Sequence, residues 1–185
     1  AHADHYVTSY AATFFNTEFT ALFSAQDYRN LFLNAYRAPE TSYRSRISRK
    51  WSFSFSSDHA MMRSPEMMLI EAEGLARTGN EAGARALLES LQLNRMPFDF
   101  VASGNSGSAL IEEILVERRK ELYGEPPAVE WFDAKRLGRG ITRTGNHRVK
   151  GNASLAPNDK RFYLKVPQFE IDANPNITDA VNANR

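Results

Sequence analysis

Apolar positions recur most regularly between Arg63 and Pro97, in the stretch RSPEMMLIEAEGLARTGNEAGARALLESLQLNRMP. Met68, Leu69, Ala72, Leu75 and Ala76 share one face at helical spacing, and Ala84, Leu87, Leu88 and Leu91 share one face of a second helix. Ser64 is the expected N-cap of the first helix, and Pro65 fits its opening turn, where the missing N–H leaves no bond unmade. Gly79 closes that helix and Asn80 caps the next, so the pattern predicts an antiparallel helical hairpin. With Gly79 at the turn, Met68, Ala72, Leu75, Ala84 and Leu88 fall at the packing positions of a tetratricopeptide-like unit. Glu71 misses that pattern, Pro97 comes one position late, and no second copy follows at the repeat spacing of about 34 residues. A single such unit cannot bury both faces and must stack on other helices.

A further helix is predicted in SALIEEILVERRKELYG, residues 108–124. At about 100° per residue, Leu110, Ile111, Ile114, Leu115 and Leu122 cover one arc, with Arg118 in its middle. Residues 6–36 are rich in aromatics without a sustained stripe and predict short helices and loops. From Ile47, the apolar Trp51, Phe53 and Phe55 alternate with Ser52, Ser54 and Ser56, which predicts one half-buried strand. The expected architecture is mainly α: tetratricopeptide-like antiparallel helix pairs with irregular loops and minor β. One domain is expected over 1–185, with an irregular segment and one strand at 1–60, a helical core at 61–140, and an extended loop and tail at 141–185.

Composition narrows the chemistry. The 23 basic and 22 acidic residues give a formal charge of +1, so the total offers no attraction for nucleic acid or an anionic membrane. No apolar run approaches the eighteen or so residues of a membrane helix. With no cysteine there is no disulfide, no thiolate metal site, no cysteine nucleophile and no lipid attachment point in this stretch. The four histidines form no HExxH motif, and there is no GxSxG or phosphate-binding glycine loop. No metal, cofactor or catalytic residue is therefore expected.

The charges of ERRKELYGEPPAVEWFDAKRLGRG, residues 117–140, call for a structural reading. Arg118 cannot shed its proton, so at the centre of an apolar arc it must be paired or must snorkel out. Glu121 and Asp133 are its expected partners, and Arg136 is the expected partner of Glu117. The expectation is two helical segments clamped by charge-assisted bonds, with Trp131 and Phe132 packed beneath. A glycosidase-like pair, Glu125 or Glu130 with Asp133, is the enzymatic alternative, but every acid here has a nearby cation to hold it ionised.

Several motifs then occur in a familiar order. MMRSPEMMLIEAEGLARTGNEAGARALL resembles R-x-x-E-M-x-L-I-x-A-E-A followed by a glycine turn. ILVERRKELYGE with WFDAKRLG resembles E-R-R-x-E-L then F-D-L-x-R, and LKVPQFEIDANPNIT resembles P-x-x-E-I-x-x-N-P-x-L. With SAQDYRNLFL, these motifs are similar to the carboxy-terminal half of the SusD/RagB family, over about Gln26 to Thr178. The chain departs from the pattern at EPPAVEW, where Glu130 stands near a position at which the family usually has arginine.

The resemblance implies a surface-exposed outer-membrane lipoprotein of Bacteroidetes, without enzymatic activity, that binds glycans and delivers them to a SusC-type TonB-dependent transporter. It also implies that the amino-terminal half, with its lipidated cysteine and further helical repeats, lies outside this chain. Sugar binding needs aromatic faces beside polar groups for the hydroxyls. Tyr36, Tyr43, Arg44, Arg46 and Trp51 combine those types and are the expected ligand residues. A protein-interaction scaffold without a ligand site, and more remotely a glycoside hydrolase, are the alternatives.

Overall fold

The computed structural model describes residues 14–35, 37–50, 60–125, 129–149 and 154–183. Its elements in chain order are α1 (Thr17–Thr20), β1 (Phe32–Asn34), β2 (Arg46–Ser48), α2 (Ser64–Arg77), α3 (Glu81–Arg95), α4 (Gly107–Leu122), α5 (Val129–Arg136) and α6 (Gln168–Ala173). Short 3-10 turns cover Lys160–Phe162 and Asp179–Asn182. The chain divides into two compact units, Ala1–Glu130 with Gly145–Arg148, and Trp131–Thr144 with Val149–Arg185.

The first unit is built on the predicted hairpin. Asn80 caps α3 by accepting from Gly83 N at 3.1 Å, and Gly79 adopts φ +89°, a conformation that a Cβ would strain. The opening of α2 differs from expectation: Ser64 is its first helical residue, and the cap position belongs to Arg63, which makes no side-chain cap bond. Arg63 instead sends its guanidinium to Glu121 and Glu125. Leu69, Ala72, Ala76, Ala84, Leu88 and Leu91 of the hairpin close on Leu110 and Ile114 of α4, with Met68, Leu75, Leu87 and Ile111 around them. Each fully buried leucine there contributes roughly 1.5–3 kcal/mol by leaving water.

A second, aromatic cluster gathers Phe19, Phe23 and Tyr123, with Phe15 and Phe32 packed against it. The two strands pair antiparallel with Phe32 opposite Ser48. β2 includes Ile47, where a strand was expected to begin; Trp51, Phe53 and Phe55 lie outside the described residues. β1 has no counterpart in the sequence reading, because three residues are too short to show a period.

The second unit has a small core of Ala134, Leu155 and Phe162, with Trp131 and Ile141 against it. Trp131 packs against Phe162 with the rings tilted and their centroids 4.8 Å apart. Phe132, expected to pack beside Trp131, is 54% exposed. The successive positions of a short helix face different ways, so only one of the two rings can enter that core. Ile141 and Leu155 form an antiparallel bridge, and a Cβ on Gly140 would collide with the Leu155 carbonyl.

Candidate functional site

α4 changes character along its length. Leu110, Ile114 and Leu115 are buried through its first nine residues, and Glu117, Arg118, Lys120 and Glu121, with Leu122 at the end, in the remainder. Buried charges need counter-ions. Glu121 accepts from Arg29 Nη1 at 3.1 Å, Arg63 Nη1 at 2.9 Å, and Arg95 Nε and Nη2 at 3.0 and 2.9 Å. Arg29 also donates to both oxygens of Asp27, at 2.9 and 2.8 Å, and lies 2.6 Å from Glu117 Oε1. Lys120 Nζ stands 3.0 Å from Asp27 and 3.7 Å from Glu117. Glu125 holds Arg63 at 2.7 Å and Lys50 at 2.5 Å. Four carboxylates (Asp27, Glu117, Glu121, Glu125) and five cations (Arg29, Lys50, Arg63, Arg95, Lys120) thus form one connected cluster.

Burial alone would push the Glu121 carboxyl up, but the bonds from Arg95 and Arg63 and the charges of Arg95 and Arg29 outweigh it and hold the group down at about 2. Burial opposes ionisation of Asp27 too, and the bonds from Arg29 reverse it to leave that carboxyl below its ordinary value. Lys50 goes the other way: burial lowers its pKa more than Glu125 raises it. Burial also pushes the Tyr123 hydroxyl up to about 12, even though it bonds Ser48 Oγ at 3.0 Å.

Two of the pairings differ from those the sequence suggested. Arg118, expected to reach Glu121, donates to Glu66 Oε1 at 3.1 Å, because Glu121 is taken by arginines 29, 63 and 95. Glu117, expected to take Arg136, takes Arg29 and Lys120. In the second unit Asp133 and Arg136 bond each other, at 2.9 and 3.1 Å. Asp27, Arg29, Lys50, Arg63, Arg95 and Lys120 are cluster members that the sequence reading did not include. Arg29, Lys50, Arg63 and Arg95 have their carboxylate partners on α4 or just after it, many residues away, with nothing local to mark them, whereas the Asp27–Arg29 and Glu117–Lys120 pairs are local.

Among the expected ligand residues, Tyr36 and Trp51 lie outside the described residues. Tyr43, Arg44 and Arg46 lead into and begin β2. Tyr43 is half-buried, with the Phe14 ring edge-on at 5.8 Å. Arg44 Nε donates to the Tyr43 hydroxyl at 2.8 Å, and its Cζ is 5.3 Å from the ring centroid. Arg46 pairs with Glu40. Arg148, absent from the sequence reading, brings its Cζ within 5.4 Å of the same ring. This corner combines a tyrosine with exposed guanidinium donors, a composition suited to binding.

The SusD family model matches residues 34–182. The chain belongs to the SusD family. A SusD-like carbohydrate binding protein from Bacteroides vulgatus shares the fold at a TM-score of 0.69 and 24% identity, covering 88% of this chain and 40% of that one. A second B. vulgatus structure, designated sugar binding, is similar at a TM-score of 0.67 and 23% identity, covering 88% and 38%. The chain therefore spans about two fifths of the length of these two proteins. No curated protein is significantly similar to it.

Proposed function

We propose that this chain is the carboxy-terminal portion of a non-catalytic saccharide-binding protein of the bacterial outer-membrane surface, which passes its ligand to a SusC-type TonB-dependent transporter. Its membership of the SusD family carries the reading. The saccharide-binding designation of both similar structures supports the ligand class. Tyr43, Arg44 and Arg46 are the described residues assigned to ligand contact, with Tyr36 and Trp51 as further members of that set.

The engaged acids support a role without turnover. The Glu125 carboxylate faces Arg63 and Lys50, Glu130 faces Arg119 at 2.8 Å, and Asp133 faces Arg136 at 2.9 Å. A glycosidase needs two carboxyl groups free to face the glycosidic bond, and these three are each engaged by a cation instead. Attachment to the membrane would come through a lipid anchor elsewhere in the protein; among the described residues no helix is long and apolar enough to cross a bilayer.

The test is a glycan-array screen of the protein, with each bound glycan recovered and weighed by mass spectrometry. Intact glycan, lost on Tyr43→Ala, supports the reading. Shortened glycan returns the hydrolase, and silence across the array favours a scaffold. One observation favours the scaffold as second reading: Met61, Met62, Met67 and Ile70, before and on α2, are 68%, 79%, 46% and 49% exposed. A tetratricopeptide-like helix ordinarily buries such a face against the next repeat.

A further inference from the structure

The near-neutral total conceals two basic stretches: residues 37–50 hold four arginines and a lysine against Glu40 alone, and residues 134–158 contain no acidic residue. In the first unit the two stretches meet at the Tyr43 ring. Arg46 and Lys50 are already matched, by Glu40 and Glu125. Arg44 and Arg148 are not: both are exposed, and neither has a carboxylate within ion-pair distance among the described residues. Arg44 gives only its Nε to a neutral hydroxyl, so its two terminal nitrogens are open. Arg148 lies against the ring face without a side-chain hydrogen bond among the described residues.

This convergence is built rather than incidental. Asn146, 5% exposed, accepts from Thr17 N at 2.9 Å and donates to Ser42 O at 2.9 Å and Ser45 Oγ at 3.0 Å. It therefore locks residues 145–148 onto the turn that carries Tyr43 and Arg44. Gly145 adopts φ +59°, and a Cβ there would stand 2.9 Å from Asn16 Oδ1, so the approach admits only glycine. Two like charges are thus held beside one ring by a buried amide. A ring quadrupole attracts cations but does not neutralise them. A carboxylate or sulfate, accepting paired N–H bonds from a guanidinium, does.

We propose that the Tyr43, Arg44 and Arg148 corner binds the acidic group of a carboxylated or sulfated saccharide. The proposal rests on the saccharide-binding reading above and adds the ligand's charge. Titration calorimetry of the protein against matched neutral, uronate and sulfated oligosaccharides tests it, at low and raised salt. Acidic ligands bind about tenfold tighter than their neutral counterparts, and raised salt or Arg148→Gln removes that preference while circular dichroism stays unchanged. Arg44→Gln moves the ratio in the same direction. Neutral and acidic ligands binding equally, or a preference that survives both substitutions, overturns the proposal and leaves the saccharide reading standing. Binding of no saccharide of either kind overturns both. Capture by phosphatidylglycerol-containing vesicles through Arg148, with no acidic saccharide bound, assigns the corner to a membrane surface and overturns it as well.

Discussion

The two halves of α4 bury different chemistry in one continuous helix. Leu110 and Ile114 ask only for apolar volume, and the facing side of the α2–α3 hairpin supplies it. Glu117 and Glu121 ask for a partner of opposite charge, in the right direction and protonation state, and they draw Arg29, Arg63 and Arg95 from three separate parts of the chain. The first half stabilises by area removed from water. The second ties the loop before β1, the start of α2 and the end of α3 to a single point.

The sharpest way to break this comparison is to remove that point. Glu121→Ala leaves three arginines facing one another without their carboxylate, and loss of one partner from a buried pair costs about 3–5 kcal/mol. Denaturant unfolding reads this as a lower midpoint. A loss under about 1 kcal/mol would mean that the arginines simply turn to water and that the cluster is superficial. Leu110→Ala in the other half costs about 3 kcal/mol by opening a cavity. Should that substitution prove the costlier of the two, the ionic half adds little beyond the packing.

The same contrast explains what was legible in the sequence. The α2–α3 hairpin and the apolar arc of α4 could be read because their contacts repeat every three or four residues and each position announces its own face. Arg118 announced that it needed a partner but not which one; Glu66 lies 52 residues away. Tyr43 and Arg44 could be read as a pair of suitable types, whereas Arg148 and Asn146 are more than 100 residues from the turn they join. Coulombic and hydrogen-bond partners of that kind leave no periodic trace.

Acid distinguishes the halves without any mutation. Glu121 is held down at about 2 in the folded chain against an ordinary value of 4.5, so its contribution is complete above about pH 4.5 and is lost as the pH falls toward 2. The lowered pKa of Asp27 acts in the same direction. Unfolding measured from pH 5 to pH 2 should lose about 2–3 kcal/mol through Glu121. Glu121→Gln should flatten that part of the profile, while Leu110→Ala should lower the whole curve and keep its slope. A slope unchanged by Glu121→Gln would place the acid sensitivity elsewhere.

The smallest effect is expected in the second unit, where ion pairs are exposed. Asp159 accepts from Arg161 N at 2.9 Å, Nε at 3.0 Å and Nη2 at 2.7 Å, and these bonds hold its carboxyl below the ordinary value. The geometry is as good as any at Glu121, but the Arg161 side chain is half exposed to water, and side-chain entropy opposes the pair. Asp159→Ala should therefore leave the unfolding midpoint where it is. Its signature is local: amide exchange at Arg161 quickens because the turn loses its acceptor. A midpoint that falls as far as it does for Glu121→Ala would show that this turn holds the second unit together, and that burial is not what separates the strong pairs of this protein from the weak ones.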